Sequence, residues 1–292
     1  MINEIFFSII IPTYNRANLI EKTINSFLNQ NYSNYELIVI DDGSTDNTHK
    51  VVNKFITKKV KYFYKNNEER GAARNYGLTK SIGEYVNFFD SDDLAYPNHL
   101  SIANKIINET NLEIIHLGYD IKKEHSSSRN NPVGKLSKKM MYGNIMLPNS
   151  TFLSKKLATS FKFSETRLLS GTEDYLFWLK ILGKQEIYGF SDTTSSLIMH
   201  ESRSMSEYNG DKNKNRQDIF LDELKKDKNF LLKFNKYFNV IKSSSLLLIS
   251  LDYSMEKKVK KALKYLIKSL VLCPAFIYSK RPYAIIKNII FK

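Results

Sequence analysis

The chain has 292 residues, of which 42% are hydrophobic, and a formal net charge of +14 at pH 7. This length and composition predict a globular protein with one large domain and an appendage, or with two domains. The single cysteine, Cys273, excludes an intramolecular disulfide and a zinc site built from several cysteines, so we expect a cytoplasmic protein.

The N-terminal segment is apolar, but it has no basic leader, contains Glu4 and runs into Pro12. It therefore predicts a strand and not a signal peptide. Farther along the chain, no uncharged apolar window reaches the length of a bilayer span, so we expect no membrane crossing.

Apolar runs and amphipathic segments alternate regularly over residues 1–120. The apolar runs predict strands at residues 6–11, 36–40, 61–64, 85–89 and 113–117. Between them, apolar residues at helical spacing predict helices at residues 17–29, 47–55, 72–80 and 98–108. This alternation predicts an α/β fold, with a mostly parallel, Rossmann-like sheet and helices on both faces.

Polar motifs follow three of these strands: PTYN at residues 12–15, DDGS at 41–44 and DSDD at 90–93. Because parallel sheets of this kind bind ligands beyond the carboxyl ends of their strands, we expect the three motifs to line one crevice. The carboxylates of the third motif repel one another unless a divalent cation or solvent compensates, which favours a phosphate-bearing substrate. The alternative is a solvated turn or a helix N-cap ahead of Pro97.

The middle of the chain is mixed. Residues 125–139 are polar and predict a surface loop. Residues 143–206 contain a predicted helix at 173–182 and short predicted strands at 186–190 and 195–200. Beyond residue 207 the pattern becomes helical.

The C-terminal region carries most of the positive charge. Residues 211–292 hold 19 Lys and Arg against 7 Asp and Glu, or +12, whereas residues 1–210 hold 25 against 23, or +2. Apolar side chains share one face of a predicted helix whose remaining surface is lysine; they are Val259, Ala262, Leu263, Leu266, Ile267 and Leu270. Such cationic amphipathic helices are suited to binding an anionic membrane surface. The pattern agrees equally well with helices that pack on the catalytic body or on a second subunit.

Four segments in order closely resemble glycosyltransferase family 2: IIPTYNR at residues 10–16, LIVIDDGSTD at 37–46, GAARNYGL at 71–78 and GEYVNFFDSDD at 83–93. Two later segments, GTEDY at 171–175 and LIMHESRSMS at 197–206, extend the resemblance over residues 5–206. The resemblance implies an inverting enzyme with the nucleotide-sugar-binding fold called GT-A. It implies a catalytic domain at 1–206 and a basic helical region at 207–292.

For the donor nucleotide, the resemblance implies that Asp42 accepts a hydrogen bond from the imide N–H of a uracil base. Pro12 and Tyr14 would flank that base, with the Tyr14 ring as a stacking surface. Arg74 would either add a cation near the phosphates or pair with an acidic loop.

For the metal, the resemblance makes residues 90–92 a DXD motif that holds Mn²⁺ or Mg²⁺ against the diphosphate. Asp92 is the predicted direct ligand, with Asp90 supporting the ribose or the metal. Asp93 would orient the others, and His200 would complete the coordination.

For the reaction, the family places its general base at the aspartate of a Glu-Asp pair, here Glu173 and Asp174. A positioned carboxylate would remove the proton of the acceptor hydroxyl as it attacks the anomeric carbon. The same two acids are also favoured at a helix start without any catalytic role.

Together these features predict a metal-dependent inverting glycosyltransferase that moves one hexosyl or N-acetylhexosaminyl group from a UDP-sugar to a hydroxyl of a surface glycan or lipid-linked saccharide. The alternative is a non-catalytic relative that binds nucleotide sugar or glycan. A nucleic-acid partner is disfavoured, because residues 1–210 are nearly neutral and the basic tail is rich in lysine rather than arginine. We expect a cytoplasmic enzyme at the inner face of the cell membrane, and a homo-oligomer stays open.

Overall fold

The computed structural model describes residues 3–200 and 208–291. They form two compact units, of which the first contains residues 3–136, 146–167 and 186–200 and the second residues 137–145, 168–185 and 208–291. The predicted domain boundary after residue 206, and the 201–206 part of the family motif, lie outside the described residues. The division into domains 1–206 and 207–292 stays a prediction.

The first unit is built on one sheet, whose ten strands among the described residues are β1 Phe7–Thr13, β2 Tyr35–Asp41, β3 Val60–Tyr64, β4 Tyr85–Phe88, β5 Leu94–Ala95, β6 Ile114–Lys123, β7 Ser126–Asn130, β8 Gly134–Lys135, β9 Thr151–Ser154 and β10 Tyr188–Ile198. Their order is β3-β2-β1-β4-β9-β6-β10-β5, with β7 pairing with β6 and β8 with β10.

The helices are α1 Ile20–Leu28, α2 Thr48–Asn53, α3 Glu69–Lys80, α4 His99–Thr110, α5 Ser137–Met140, α6 Lys155–Thr159, α7 Glu173–Lys184, α8 Gly210–Lys226, α9 Lys228–Phe234, α10 Phe238–Met255, α11 Val259–Leu272 and α12 Lys280–Phe291. Short 3₁₀ turns occur at Pro148–Ser150, Arg167–Leu169, Asn235–Tyr237 and Pro274–Tyr278. The α/β class with a C-terminal helical region is therefore confirmed.

Both faces of the sheet are covered by helices, as predicted. On one face, alternate residues of β1 and β2 pack with α1, α2 and α4 in a large apolar cluster that includes Ile9, Leu37 and Ile24. On the other face α3 lies close to β1, because a Cβ on Gly77 would come within 2.3 Å of the Ile10 side chain. The close approach of helix and sheet therefore requires glycine at position 77.

The parallel arrangement holds for β1 to β4, where β3, β2, β1 and β4 pair side by side. The other half of the sheet is mixed, because β9 lies antiparallel between β4 and β6. Strand β9 has only four residues and follows the 3₁₀ turn at Pro148–Ser150, so no long apolar run marks it in the sequence.

Two local predictions were wrong. The segment 125–139, predicted as a surface loop, contains β7 and β8, and β7 forms a hairpin with the extended end of β6. Four of the five residues of β7 are exposed and polar, so no apolar pattern in the sequence indicates this strand. It forms by hydrogen bonding to the free edge of β6. The two short strands predicted at 186–190 and 195–200 are one strand, β10, whose pairing with β6 shifts register near Thr193.

The second unit is a helical assembly around α10, which packs against α8, α11 and α12. Two serines lie where α10 meets α11. The Ser243 hydroxyl oxygen lies 2.7 Å from that of Ser269, and each hydroxyl can donate to the backbone carbonyl of the other residue. Helix α9 crosses α7 at Gly183, where a Cβ would lie 2.7 Å from the backbone nitrogen of Phe230. Within residues 3–200 and 208–291, no helix has the length and hydropathy needed to span a bilayer.

Two buried histidines should make folding of the first unit sensitive to pH. Burial lowers the pKa of His99 and His116 from 6.5 to about 3, so both rings are neutral in the fold. The unfolded chain takes up protons on both as pH falls below 6.5, so the stability present above that pH is lost progressively towards pH 3. We expect the free energy of unfolding, measured in urea, to be about 2 kcal/mol lower per histidine at pH 5 than at pH 7.

The control for this prediction is a pair of single variants. His99→Gln should remove about half of the difference between pH 7 and pH 5, whereas His125→Gln should leave it unchanged because the His125 side chain is 89% exposed. An unchanged difference in His99→Gln would contradict the assignment.

Candidate functional site

Three carboxylates meet directly beyond the end of β4. Ligand-capable atoms of Asp90, Asp92 and Asp93 all lie within 4.8 Å of one another. Carboxylates this close repel one another, so each needs a compensating partner. The three acids have different partners.

Asp93 is fully buried, and two neutral groups are among its hydrogen-bond donors. Its Oδ2 accepts a 2.6 Å hydrogen bond from Asn149 Nδ2, and its Oδ1 accepts a 2.8 Å bond from the backbone N–H of Ile198. These bonds join the acidic loop to the turn before β9 and to the end of β10. Asp93 therefore links the acidic loop to both elements, and the orienting role predicted for it stays a prediction.

Asp92 is brought together with His200, which lies 108 residues away in sequence. The His200 Nε2 atom lies 3.1 Å from Asp92 Oδ2, just beyond the end of β10. The Arg16 Nε atom lies 3.6 Å from the same oxygen. The two residues predicted to share a metal ion are thus neighbours, and the sequence reasoning missed Arg16.

Asp90 pairs with Arg74, whose guanidinium is buried in α3. The Nη2 atom of Arg74 lies 3.0 Å from Asp90 Oδ1, and the guanidinium carbon lies 5.2 Å from the centre of the Phe163 ring. Of the two alternatives predicted for Arg74, the structure contains the pairing with the acidic loop.

Asn149 connects two of the acids and is the positioning residue that sequence reasoning did not assign. Its Oδ1 accepts from the backbone N–H of Asp90 at 2.9 Å, while its Nδ2 donates to Asp93. The buried Asn87 in β4 holds the same turn by donating to the carbonyls of Pro148 and Thr151.

The predicted base-binding residues lie at the ends of β1 and β2. Asp42 is buried, and its Oδ1 accepts from Lys65 Nζ at 2.9 Å and from the Glu68 backbone N–H at 3.0 Å. Tyr14 is 46% exposed just after β1, and Pro12 is buried within it. Burial opposes the charge of Lys65, but hydrogen bonds to Glu68 and Asp42 outweigh it and raise the pKa of Lys65.

The loops after β1 and β2 are joined through Asn15. Its backbone adopts the left-handed conformation with φ 51°, and its Oδ1 accepts a 2.8 Å bond from the Thr45 N–H. Its own N–H donates to Ser44 Oγ at 2.9 Å. Asparagine tolerates this conformation better than most residues. The two hydrogen bonds of Asn15 hold the two loops together.

The predicted catalytic pair lies in the second unit, where α7 begins at Glu173. Glu173 is buried, and its Oε2 accepts a 2.6 Å bond from the N–H of Gly171, which has φ +93°. Asp174 is partly exposed, and its Oδ2 accepts a 3.0 Å bond from Asn144 Nδ2. Glu173 thus closes the turn before the helix, which leaves Asp174 as the more accessible acid of the pair.

Comparison with known proteins identifies relatives. The model of the family described as Glycosyl transferase family 2 matches residues 8–164, which include the acidic cluster and end before Glu173, Asp174 and His200. The Escherichia coli UDP-Glc:alpha-D-GlcNAc-diphosphoundecaprenol beta-1,3-glucosyltransferase WfgD is 34% identical over 62% of this chain and 71% of its own length. An uncharacterized glycosyltransferase of Rickettsia conorii is 33% identical over 68% of this chain, which spans 33% of that relative.

Among solved structures, S. aureus TarS 1-349 in complex with UDP-GlcNAc superposes with a TM-score of 0.69. The match has 22% sequence identity and covers 97% of this chain and 88% of that one. At this identity the likeness shows the fold, and it confirms the predicted GT-A arrangement.

Removing the Asn149 side chain should destabilise the first unit. Asn149→Ala deprives the buried Asp93 carboxylate of its 2.6 Å donor, so we expect about 1–3 kcal/mol less free energy of unfolding in urea at pH 7. Asn149→Asp, which sets an oxygen against Asp93, should cost at least as much. Asn53→Ala, at an exposed position of α2, is the control and should change stability by less than about 0.5 kcal/mol. Equal stability of the two alanine variants would refute the positioning role.

Proposed function

The chain belongs to glycosyltransferase family 2 and is a glycosyltransferase, and we propose that it transfers one sugar, with inversion, from a UDP-sugar to a hydroxyl of a lipid-linked saccharide. The observation that carries this proposal is the meeting of Asp92 and His200 beside Asp90 at the ends of the sheet strands. The open end of a parallel sheet is where this class of fold binds nucleotides.

The proposed donor is a uridine diphosphate sugar. Both hydrogen bonds that Asp42 accepts from described residues end on Oδ1, so Oδ2 remains as an acceptor for the imide N–H of uracil. The Lys65 Nζ atom lies 2.9 Å from the other oxygen of that carboxylate. Thr13 pairs with Asp41, so Tyr14 and Asp42 follow the ends of neighbouring strands, and the half-exposed ring of Tyr14 offers a stacking surface. Relatives support this donor class, since WfgD is named for UDP-Glc and TarS was solved with UDP-GlcNAc.

Oxygen and imidazole ligands suit Mn²⁺ or Mg²⁺, and Asp92, His200 and Asp90 are the residues that would hold the ion. When bound, such an ion neutralises the negative charge that develops on the departing diphosphate. Asp93 and Asn149 keep the loop in position. Arg16 and Arg74 contribute guanidinium groups beside the same carboxylates.

Asp174 is the proposed general base. It would take the proton of the acceptor hydroxyl while that oxygen forms a bond to the anomeric carbon and the bond from this carbon to the diphosphate breaks. Hydrogen bonds from Asn144 Nδ2 and from the Tyr175 N–H to its two oxygens fix the carboxylate on the first turn of α7. Displacement on the face opposite to the leaving group inverts the anomeric configuration.

The acceptor is proposed to be lipid-linked because the name of WfgD specifies a GlcNAc-diphosphoundecaprenol substrate. Such a substrate holds its sugar at a membrane surface. We therefore assign the enzyme to the cytoplasmic face of the cell membrane.

The metal assignment predicts that Asp92→Asn lowers UDP affinity in the presence of Mn²⁺ by at least about tenfold. Calorimetric titration of UDP with Mn²⁺ or with EDTA measures this, and the variant should no longer distinguish the two conditions. The matched control is Asp120→Asn, which alters a carboxylate of the same unit paired with Arg129. If Asp92→Asn kept both Mn²⁺-dependent UDP binding and turnover, the assignment would be wrong.

The base assignment predicts that Asp174→Asn lowers the transfer rate by about 10²–10⁴-fold, because the amide cannot accept the hydroxyl proton. UDP affinity with Mn²⁺ should be unchanged. Rates are measured with a radiolabelled UDP-sugar and a lipid-diphosphate saccharide, and Asp218→Asn on α8 serves as an exposed control. Joint loss of transfer and UDP binding would indicate a structural residue.

A further inference from the structure

Helix α11 carries an apolar row that its packing does not use. The face that packs in the second unit contains Ala262, Leu266 and Ser269. A neighbouring row at intervals of four residues stays exposed; it consists of Val259, Leu263, Ile267 and Val271. Ile267 is 59% exposed and Val271 77% exposed. The single amphipathic face predicted from sequence is therefore divided, with one half packed and the other half facing solvent.

A row of lysines runs parallel to this apolar row. Lys260, Lys264 and Lys268 each follow an apolar row residue by one position, so they lie along its edge on the helix surface. Among the described residues, no carboxylate forms an ion pair with any of the three. By contrast, Lys258 and Lys261 of the same region pair with Asp211.

Helix α12 repeats the arrangement. It packs through Pro282 and Ile285 and exposes an apolar row of Tyr283, Ile286 and Ile290 at intervals of three and four residues. The lysines of this helix, Lys280 and Lys287, are exposed as well. Two helices of one unit thus combine an exposed apolar row with exposed positive charge.

We propose that the exposed row of α11, together with that of α12, docks the second unit on an anionic lipid bilayer. The apolar side chains would enter the boundary between headgroups and acyl chains, and the lysines would contact the anionic headgroups. This proposal adds a docking surface to the membrane location given under the proposed function. It rests on that function only for the reason why the enzyme approaches a membrane.

Charge selects the bilayer over a second copy of the chain as the occupant. Residues 257–292 contain ten Lys and Arg and no Asp or Glu. In a symmetric dimer the same patch meets itself, which brings its positive charges together without any Asp or Glu of residues 257–292 to balance them. An anionic leaflet supplies the missing negative charge.

The test is co-sedimentation of the full-length protein with phosphatidylcholine vesicles, with or without phosphatidylglycerol. We expect binding only to the anionic vesicles, and weaker binding at high salt. Changing Lys260, Lys264 and Lys268 to Ser should weaken it by about a hundredfold. Leu263→Ser with Ile267→Ser should weaken it by about tenfold or more, because both side chains are already exposed and contribute little to folding.

Matched control variants carry the same kinds of substitution, Lys→Ser and apolar→Ser, at exposed positions of the first unit. Lys22, Lys54 and Lys58 changed to Ser remove the same charge from exposed positions, and Ile56→Ser with Ile82→Ser removes exposed apolar side chains. Neither control should change vesicle binding. Equal binding of the α11 variants and the controls would overturn the inference, as would equal binding to both kinds of vesicle.

Sedimentation equilibrium tests the other occupant. A dimer that dissociates on Leu263→Ser with Ile267→Ser would assign the surface to a second copy and overturn the inference. UDP binding with Mn²⁺ separates this result from the proposed function: the α11 variants should retain it, whereas Asp92→Asn should lose it and still bind vesicles. Loss of vesicle binding alone in the α11 variants supports the docking surface.

Discussion

The buried carboxylate of Asp93 is the constraint on which the candidate site of the first unit depends. It has no solvent exposure, so its charge must be matched by hydrogen bonds inside the protein. Its donors include Asn149 and the Ile198 backbone, which come from the turn before β9 and from the end of β10. In addition, the Asp93 carbonyl accepts from Thr23 on α1. One residue thus joins α1, the acidic loop and two strands distant in sequence.

Because β10 ends at Ile198, the hydrogen bond that the Ile198 N–H donates to Asp93 also fixes the point at which the chain leaves that strand. His200 comes two residues later and reaches Asp92. The hydrogen bond between Ile198 and Asp93 therefore places the end of β10 where the His200 imidazole reaches the Asp92 carboxylate. This explains how a histidine more than a hundred residues away meets the acidic loop without lying in the same element.

The sequence predicts those parts of the fold and site that depend on local patterns. Strands β1 to β4 are apolar runs between amphipathic helices, and their parallel pairing puts Asp42 and the acidic loop at one edge of the sheet. Strands β7 and β9 carry no such pattern, because β7 is polar and β9 has four residues. Their pairing depends on the edges left free by β4 and β6, which only the assembled sheet defines.

The residues missed in the site share one property: each acts through a partner distant in sequence. Lys65 reaches Asp42 because β2 and β3 pair in register, with Tyr64 opposite Asp41, so the residue after each lies beside the other. That register could have been inferred once the strands were aligned. Arg16 and Asn149 could not be inferred in this way, because loop geometry decides which acid each of them contacts.

The partners of the three acids also bear on the proposal that Asp92 is the direct ligand of a cation. Asp93 is fully buried and accepts from Asn149 and Ile198, and Asp90 is paired with a guanidinium that is itself buried. Asp92 instead contacts Arg16 and His200, whose side chains retain 19% and 18% exposure. A cation that replaced the Arg16 contact would keep the imidazole as a further ligand. Because both of its described contacts come from partly exposed side chains, Asp92 is the acid that we propose as the direct ligand of the metal ion.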